Sequence, residues 1–289
     1  NVATASLLEE LGGPRYLVDF AGRMGFDTRW LPEEMGLALG QGEVTPVEMA
    51  SYVATVINGG RRATGSPVQS ARDAAGQIRV GAIAPDRPVM TPEGAALTRE
   101  LMRGVVEHGT GNPIRGVGGV YGYEGPAIGK TGTTDKELDL WFVGGTPHYA
   151  GSIWIGYDRP QRIGGTASEL AAPLWGWWMR GVHEGLSTTR EFEGPQVEYA
   201  SICTITGKRP QAGCRSIRAP FLPGTVPTEM SSACDSWPSR EGRSQSLWRR
   251  RRGGGQASAP AQESSAGTPT SAGPPATGGS TSRTGPSPL

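Results

Sequence analysis

Residues 126–157 constrain the fold of this 289-residue chain more than any other stretch. Pro126-Ala127-Ile128 leads into the polar run Gly129-Lys130-Thr131-Gly132-Thr133-Thr134-Asp135-Lys136, and the apolar run Leu138 to Gly145 follows. After Thr146-Pro147-His148, Tyr149 to Tyr157 is apolar almost throughout. Runs of this length, rich in aromatic and β-branched residues and broken by turn residues, read as neighbouring antiparallel strands in a buried part of a sheet.

The flanking segments read as helices that cover such a sheet. Residues 2–11 form a helical pattern stopped by Gly12-Gly13, and Pro14 starts a second helix that runs through Met24 to Gly25. A loop spans 26–42. Thr45-Pro46-Val47-Glu48 is a capping box, and Met49, Val53, Val56 and Ile57 give its helix one apolar face before Asn58-Gly59-Gly60. Residues 68–72 and 77–83 flank Asp73 to Gly76 as a hairpin. Thr91-Pro92-Glu93 opens a further helix with Leu97, Leu101, Val105 and Val106 on one face, closed by His108-Gly109-Thr110-Gly111. Glycines crowd 116–125. Ser168 is expected to cap a last helix with Leu170, Leu174, Trp177 and Trp178 facing inward. Helices, then strands, then a helix predict an α+β fold with helices packed on an antiparallel sheet. Residues 1–186 hold these elements. Residues 187–237 form a small Cys-containing extension. Residues 238–289 hold a four-arginine run, Arg249 to Arg252, read as solvated charge or as a contact for an anionic polymer or lipid, and a Gly/Pro/Ser-rich segment expected to be disordered.

The polar run carries the chemistry. One cation beside two hydroxyls and open N–H groups, with a glycine that lets a ligand lie against the backbone, is a receptor for a carboxylate. The alternative is a hairpin with a solvated lysine at its edge. A phosphate-binding P-loop is excluded, because Glu124 stands where its first glycine is required.

Composition narrows the partners. The formal net charge is +1, which does not point to nucleic acid or an anionic membrane as the main partner. No apolar run approaches the roughly 18 residues that span a bilayer. Neither a signal peptide nor an initiator Met is present, and the chain opens at Asn1 into a helical pattern, as a piece of a longer protein would. Only three lysines, Lys130, Lys136 and Lys208, stand beside 25 arginines, so each lysine is easily checked. The cysteines are Cys203, Cys214 and Cys234. The first two bracket a polar turn that a disulfide would close, leaving Cys234 over. Metal is the other reading of clustered cysteines, but no Cys-x-x-Cys occurs and the histidines are scattered.

Together these stretches resemble one family, the transpeptidase domain of class A, bifunctional penicillin-binding proteins. The matching residues are Leu39-Gly40 with Glu43 to Ala50, Asn58-Gly59-Gly60, Val105 to Gly111, Gly129-Lys130-Thr131-Gly132-Thr133-Thr134, Asp139, Trp141 to Gly144, Trp154 to Asp158, and Leu170 to Pro173. Phe221 to Thr228, near Cys234, is similar to the region that often follows the domain. The resemblance implies a penicillin-binding/serine β-lactamase-like fold, here with its N-terminal portion missing. It also implies an acyl-transfer reaction that cross-links peptidoglycan stem peptides, with no cofactor and no metal. By that resemblance Lys130 sets the positive potential of the cleft. The Thr131 and Thr133 hydroxyls bind the carboxylate of a D-Ala-D-Ala stem peptide or a β-lactam. The Thr133 backbone N–H forms half of an oxyanion hole, and Gly132 keeps the strand open. Asn1 matches the Asn of the family's Ser-x-Asn motif. An extracytoplasmic address and an upstream membrane anchor are implied in the same way.

The family's nucleophile motif, Ser-x-x-Lys, is not in these 289 residues: the positions three before the lysines hold Ala127, Thr133 and Ile205. No Ser-x-Asn occurs either, since Val56 and Thr110 precede Asn58 and Asn112 by two. The chain is therefore expected to supply the carboxylate and oxyanion side of an active site and to be inactive alone. Alternatives are a nucleophile-free module that binds peptidoglycan or a partner through the same cleft, and a fragment of a β-lactamase or D,D-carboxypeptidase.

Overall fold

A computed structural model of the chain describes residues 2–66, 68, 70–81, 87–117 and 120–232. Asn1, Cys234 and the 238–289 segment lie outside the described residues. All described residues fall within one compact unit, 1–236.

The N-terminal third is helical. α1 (Val2–Glu10) and α2 (Pro14–Met24) meet at the predicted glycines; Pro14 occupies the first turn of α2, and Gly25 ends it with φ 109°. The 26–42 loop contains two short 3-10 turns, Thr28–Trp30 and Met35–Leu39. α3 (Pro46–Ile57) starts at the expected capping box: Thr45 Oγ1 accepts from Glu48 N, and Glu48 accepts from Thr45 N at 2.8 Å. The second Glu48 oxygen accepts from Asp27 N at 2.7 Å, so one carboxylate starts the helix and pins the preceding loop. β1 (Ser70–Arg72) and β2 (Ile78–Gly81) form the hairpin around Asp73, and α4 (Pro92–His108) follows, capped by Thr91. The two-residue strands β3 (Gly116–Val117) and β4 (Val120–Tyr121) occupy the glycine-rich stretch.

The centre is an antiparallel sheet of β5 (Ile128–Thr133), β6 (Leu140–Gly145) and β7 (Ala150–Ile155) in that spatial order. Its register pairs Lys130 with Val143, Gly132 with Trp141, and Trp141 with Trp154. The period-2 alternation of β6 then builds two cores. Leu140 and Phe142 face one side, where they pack with Trp175 and Met179 of α5 (Ala171–Val182). Val143 faces the other side with Ile128, against Val53 and Val56 of α3 and Met102 of α4. The sheet is thus covered by α5 on one face and by α3 and α4 on the other, the predicted α+β layout. Burying aromatic side chains as large as Phe142 and Trp175, whose ring centroids lie 5.2 Å apart, stabilises each by about 2–3 kcal/mol. β8 (Glu198–Cys203) and β9 (Ser216–Phe221) add a hairpin in the cysteine-containing extension, tied back to α4 where Tyr199 OH donates to Glu100 at 2.5 Å.

Three expectations are overturned. The inward face of α5 is built from Ala171, Ala172, Trp175 and Met179. Leu170, Leu174, Trp177 and Trp178 are 38–59% exposed, and Ser168 does not cap. The helix is apolar on nearly every side, so periodicity does not select a face. The indole of Trp175 does, because its N–H finds the Gly151 carbonyl at 3.0 Å while its ring lies on Phe142. On α4 the buried set is Ala95, Ala96, Arg99, Met102 and Val106, and Leu101 is exposed. The third correction concerns the cysteines. Cys214 is disulfide-bonded, but not to Cys203, whose buried sulfur titrates as a thiol. Backbone N–H groups of Ile205 and Thr206 and the Ser231 hydroxyl bring that thiol down to about 7. Cys203 ends β8 opposite Ser216, its sulfur held by the turn that follows, while Cys214 accepts from Gln211 N in the separate turn before β9.

Candidate functional site

β5 is an edge strand of the sheet, so one side of its backbone is not taken up by β6. Ile128 and Gly129 are buried at its start, and the strand emerges toward solvent at Lys130 and Thr133. Lys130 and Gly132 share one face, and Thr131 and Thr133 the other, as the register with Val143, Phe142, Trp141 and Leu140 dictates. The Lys130 ammonium is exposed and donates to the Thr131 carbonyl at 2.6 Å. Among the described residues no carboxylate forms an ion pair with it.

The two threonines have different settings. Thr131 Oγ1 lies 2.6 Å from Thr110 Oγ1, in the loop that ends α4. Thr133 Oγ1 accepts from Ala167 N at 3.1 Å, which ties the strand to the bend before α5 and leaves its hydroxyl proton available. The two glycines differ as well. A Cβ on Gly129 would lie 2.4 Å from the Phe142 ring, whereas a Cβ on Gly132 would meet only Trp141 Cβ at 3.3 Å and Cγ at 4.0 Å. Gly129 is required by packing. Gly132 keeps its face of the strand, the one it shares with Lys130, uncrowded beyond Trp141.

The turn after β5 is braced from several sides. Asp139 N donates to Thr134 Oγ1 at 2.8 Å, and the Asp139 carboxylate accepts from Trp154 Nε1 at 3.0 Å. Glu137 accepts from Arg162 Nε at 2.9 Å, and this guanidinium holds its carboxyl below the ordinary range. Lys136 and Glu137 adopt positive φ, 63° and 58°, a left-handed conformation that these ties maintain. The end of β5 is therefore a fixed edge.

The sequence singled out Lys130, Thr131, Gly132 and Thr133, and all four lie on this one strand edge. It gave Thr110 no role of its own: Thr110 was read as part of a helix stop and of the matching stretch Val105 to Gly111. The signal lay in Gly109-Thr110-Gly111, where a hydroxyl stands between two glycines that allow close approach. Among the described residues no cluster of His, Cys, Asp or Glu could hold a metal, and no helix is long and apolar enough to cross a membrane. A cleft of about 280 Å³ lined by Gly122, Tyr123, Glu124, Arg180, His183 and Thr188 shares no residue with the Lys130 strand.

Comparison with known proteins bears on this edge. The family model described as penicillin binding protein transpeptidase domain matches residues 15–168, and the one described as penicillin-binding protein 1A, C-terminal domain matches residues 195–235. The penicillin-binding protein 1A of Neisseria lactamica is 31% identical over 189 residues, which are 62% of this chain and 23% of that protein. The chain thus spans about a quarter of the length of this curated relative. The solved penicillin-binding protein 1A of Haemophilus influenzae superposes with a TM-score of 0.64 at 22% identity, over 80% of this chain and 39% of that one, and shares the fold. PonA1 of Mycobacterium tuberculosis, solved in complex with penicillin V, is 25% identical with a TM-score of 0.53, over 66% of this chain and 56% of its own.

Proposed function

The chain belongs to the penicillin-binding protein transpeptidase family, in its class A branch, and from that premise we propose that it carries the carboxylate-binding edge of a D,D-transpeptidase site. The family's role in peptidoglycan cross-linking supplies the reaction class, acyl transfer through a serine. The observation that supports the reading is the conjunction on β5: an exposed ammonium at Lys130, an accessible hydroxyl at Thr131 and an uncrowded face at Gly132.

In this reading the carboxylate of a D-Ala-D-Ala stem peptide, or of a β-lactam, lies along β5. Lys130 supplies charge, the Thr131 and Thr133 hydroxyls donate to the carboxylate, and Thr133 N–H faces the oxygen that becomes negative during acylation. Asn1 would supply the Asn of Ser-x-Asn. Residues 1–186 are read as transpeptidase domain and 187–237 as its C-terminal extension. Work at the extracytoplasmic face of the cell membrane, with an anchor in upstream sequence, belongs to the same reading. Because the 289 residues hold no Ser-x-x-Lys, acylation requires a serine from outside them, and the chain alone binds without reacting.

Two measurements test this. N-acetyl-D-Ala-D-Ala titrated into the 289-residue chain is expected to bind saturably, and Lys130→Met is expected to weaken binding about tenfold, the scale of one charge-assisted hydrogen bond. A fluorescent penicillin is expected to leave the chain unlabelled. Absence of saturable binding would sink the reading, and covalent labelling would sink the statement that the nucleophile lies elsewhere. The absent Ser-x-x-Lys also favours a second reading, a recognition module that never reacts. Covalent penicillin labelling of the full-length gene product decides against that one.

A further inference from the structure

The loop that ends α4 is built around one side chain. Gly109 N and Gly111 N both donate to the Val105 carbonyl, at 3.1 and 3.0 Å. Asn112 Nδ2 donates to the Val106 carbonyl at 3.1 Å, and Asn112 N to the Gly109 carbonyl at 3.2 Å. The two glycines are pressed close: a Cβ on Gly109 would lie 2.9 Å from the Val105 oxygen, and one on Gly111 3.3 Å from the Phe142 ring. Thr110, held between them, is exposed, and its hydroxyl reaches across to β5 to meet Thr131 Oγ1 at 2.6 Å. Nothing in helix termination requires this contact. Gly109 N, Gly111 N and Asn112 N close the loop onto Val105 and Gly109 without it.

Two hydroxyls this close share one proton between them, and the second proton points away from the pair. With Thr110 as donor, Thr131 keeps the outward O–H, and its oxygen already accepts a bond. Such a donor is polarised and strengthened by its neighbour, by about 10–30%. Its rotor is also fixed before any ligand arrives. A lone threonine at position 131 would have to lose that rotational freedom on binding. The Thr131 carbonyl is meanwhile engaged by Lys130 Nζ at 2.6 Å, so cation and hydroxyl pair are fixed to one residue of the strand.

We propose that Thr110 is a positioning residue for the carboxylate end of the ligand: it acts through Thr131, orienting and polarising the hydroxyl that donates to a carboxylate on β5. The inference rests on the carboxylate-binding reading of that strand and adds to it a residue from a different element.

The test compares N-acetyl-D-Ala-D-Ala with its C-terminal amide on the full chain, so that carboxylate recognition is separated from general peptide affinity. Thr110→Val keeps the shape and removes the hydroxyl. It is expected to lower the acid-over-amide preference about fivefold, the worth of one hydrogen bond, with amide binding and melting temperature unchanged. Thr110→Ser is expected to restore the preference. Thr131→Val is expected to lose it, and Thr110→Val added to Thr131→Val to cause no further loss, because the two act as one donor. An acid-over-amide ratio unmoved by Thr110→Val, in a chain where Thr131→Val lowers it, overturns the inference and leaves the carboxylate-binding reading standing. A wild-type chain that binds neither ligand overturns both.

Discussion

Gly129 and Gly132 stand three residues apart on one strand, and their surroundings assign them opposite roles. A methyl group on Gly129 collides with the Phe142 ring in the core, so Gly129→Ala is expected to cost about 1–3 kcal/mol, measured by urea unfolding. A methyl group on Gly132 projects beside the Lys130 side chain and meets only Trp141, so Gly132→Ala is expected to hold stability within about 1 kcal/mol while weakening peptide binding. Loss of stability without loss of binding at Gly132 would contradict this division. Arg99 is a second case decided by surroundings. Its side chain is 3% exposed, and Nε and Nη1 have no hydrogen-bond partner; burial, opposed by Glu100 and reinforced by Arg103, pulls its pKa below the ordinary arginine value. Arg99→Met removes the buried orphan donors at similar volume and is expected to raise stability by about 1–3 kcal/mol in the same assay. The resemblance gave Gly132 a role, but nothing in the sequence marked Gly129 as a packing residue or Arg99 as buried. Both glycines belong to one motif, and arginine is ordinarily a surface residue. What separates them is the position of atoms distant in sequence, Phe142 in one case and the linker at Gly194 in the other, where a Cβ would lie 2.7 Å from Arg99 Nη2.

At the scale of elements, the sequence was readable where a local rule decides and ambiguous where packing does. α2 and α3 begin and end where Pro14, Gly25, Thr45 and Asn58 place them, because caps are satisfied within a few residues. The face of α5 was misread because Leu170, Leu174, Trp177 and Trp178 are as apolar as the set that is buried, and only the partner surface selects between them. The C-terminal end of α5 shows how that surface is fastened. His183 Nδ1 lies 2.7 Å from the Met179 carbonyl, which can only accept, so Nδ1 carries the proton and Nε2 accepts from Thr146 Oγ1 at 3.0 Å. Thr146 also receives His148 N and Tyr149 N, so one hydroxyl joins the β6–β7 turn to the helix. Burial lowers the His183 pKa, and nearby His148 adds to this. The folded chain therefore binds this proton less readily than the unfolded one. The stabilisation is complete above the unfolded value near 6.5 and is lost as pH falls through the lower folded value. The melting temperature is expected to fall as pH drops below about 6.5, and His183→Gln is expected to flatten that fall. An equal fall in the variant would assign the effect elsewhere.

For the molecule as a whole, helices over an antiparallel sheet followed from the order of patterned segments, since an apolar strand pair must be covered on both faces. The extension after α5 was less legible. Its hairpin has little period-2 contrast, and the short spacing of Cys203 and Cys214 pointed to a pairing that the turns around them do not make. The candidate site sits where the sheet stops, at β5, but the sheet has a second margin. β7 is six residues long, Ala-Gly-Ser-Ile-Trp-Ile, without charge or proline, and Trp178 lies over Gly151 so closely that a Cβ there would meet its ring at 2.5 Å. Among the described residues no strand pairs with that margin of β7. An uncharged, proline-free border of this kind is open to the addition of a further strand along its backbone.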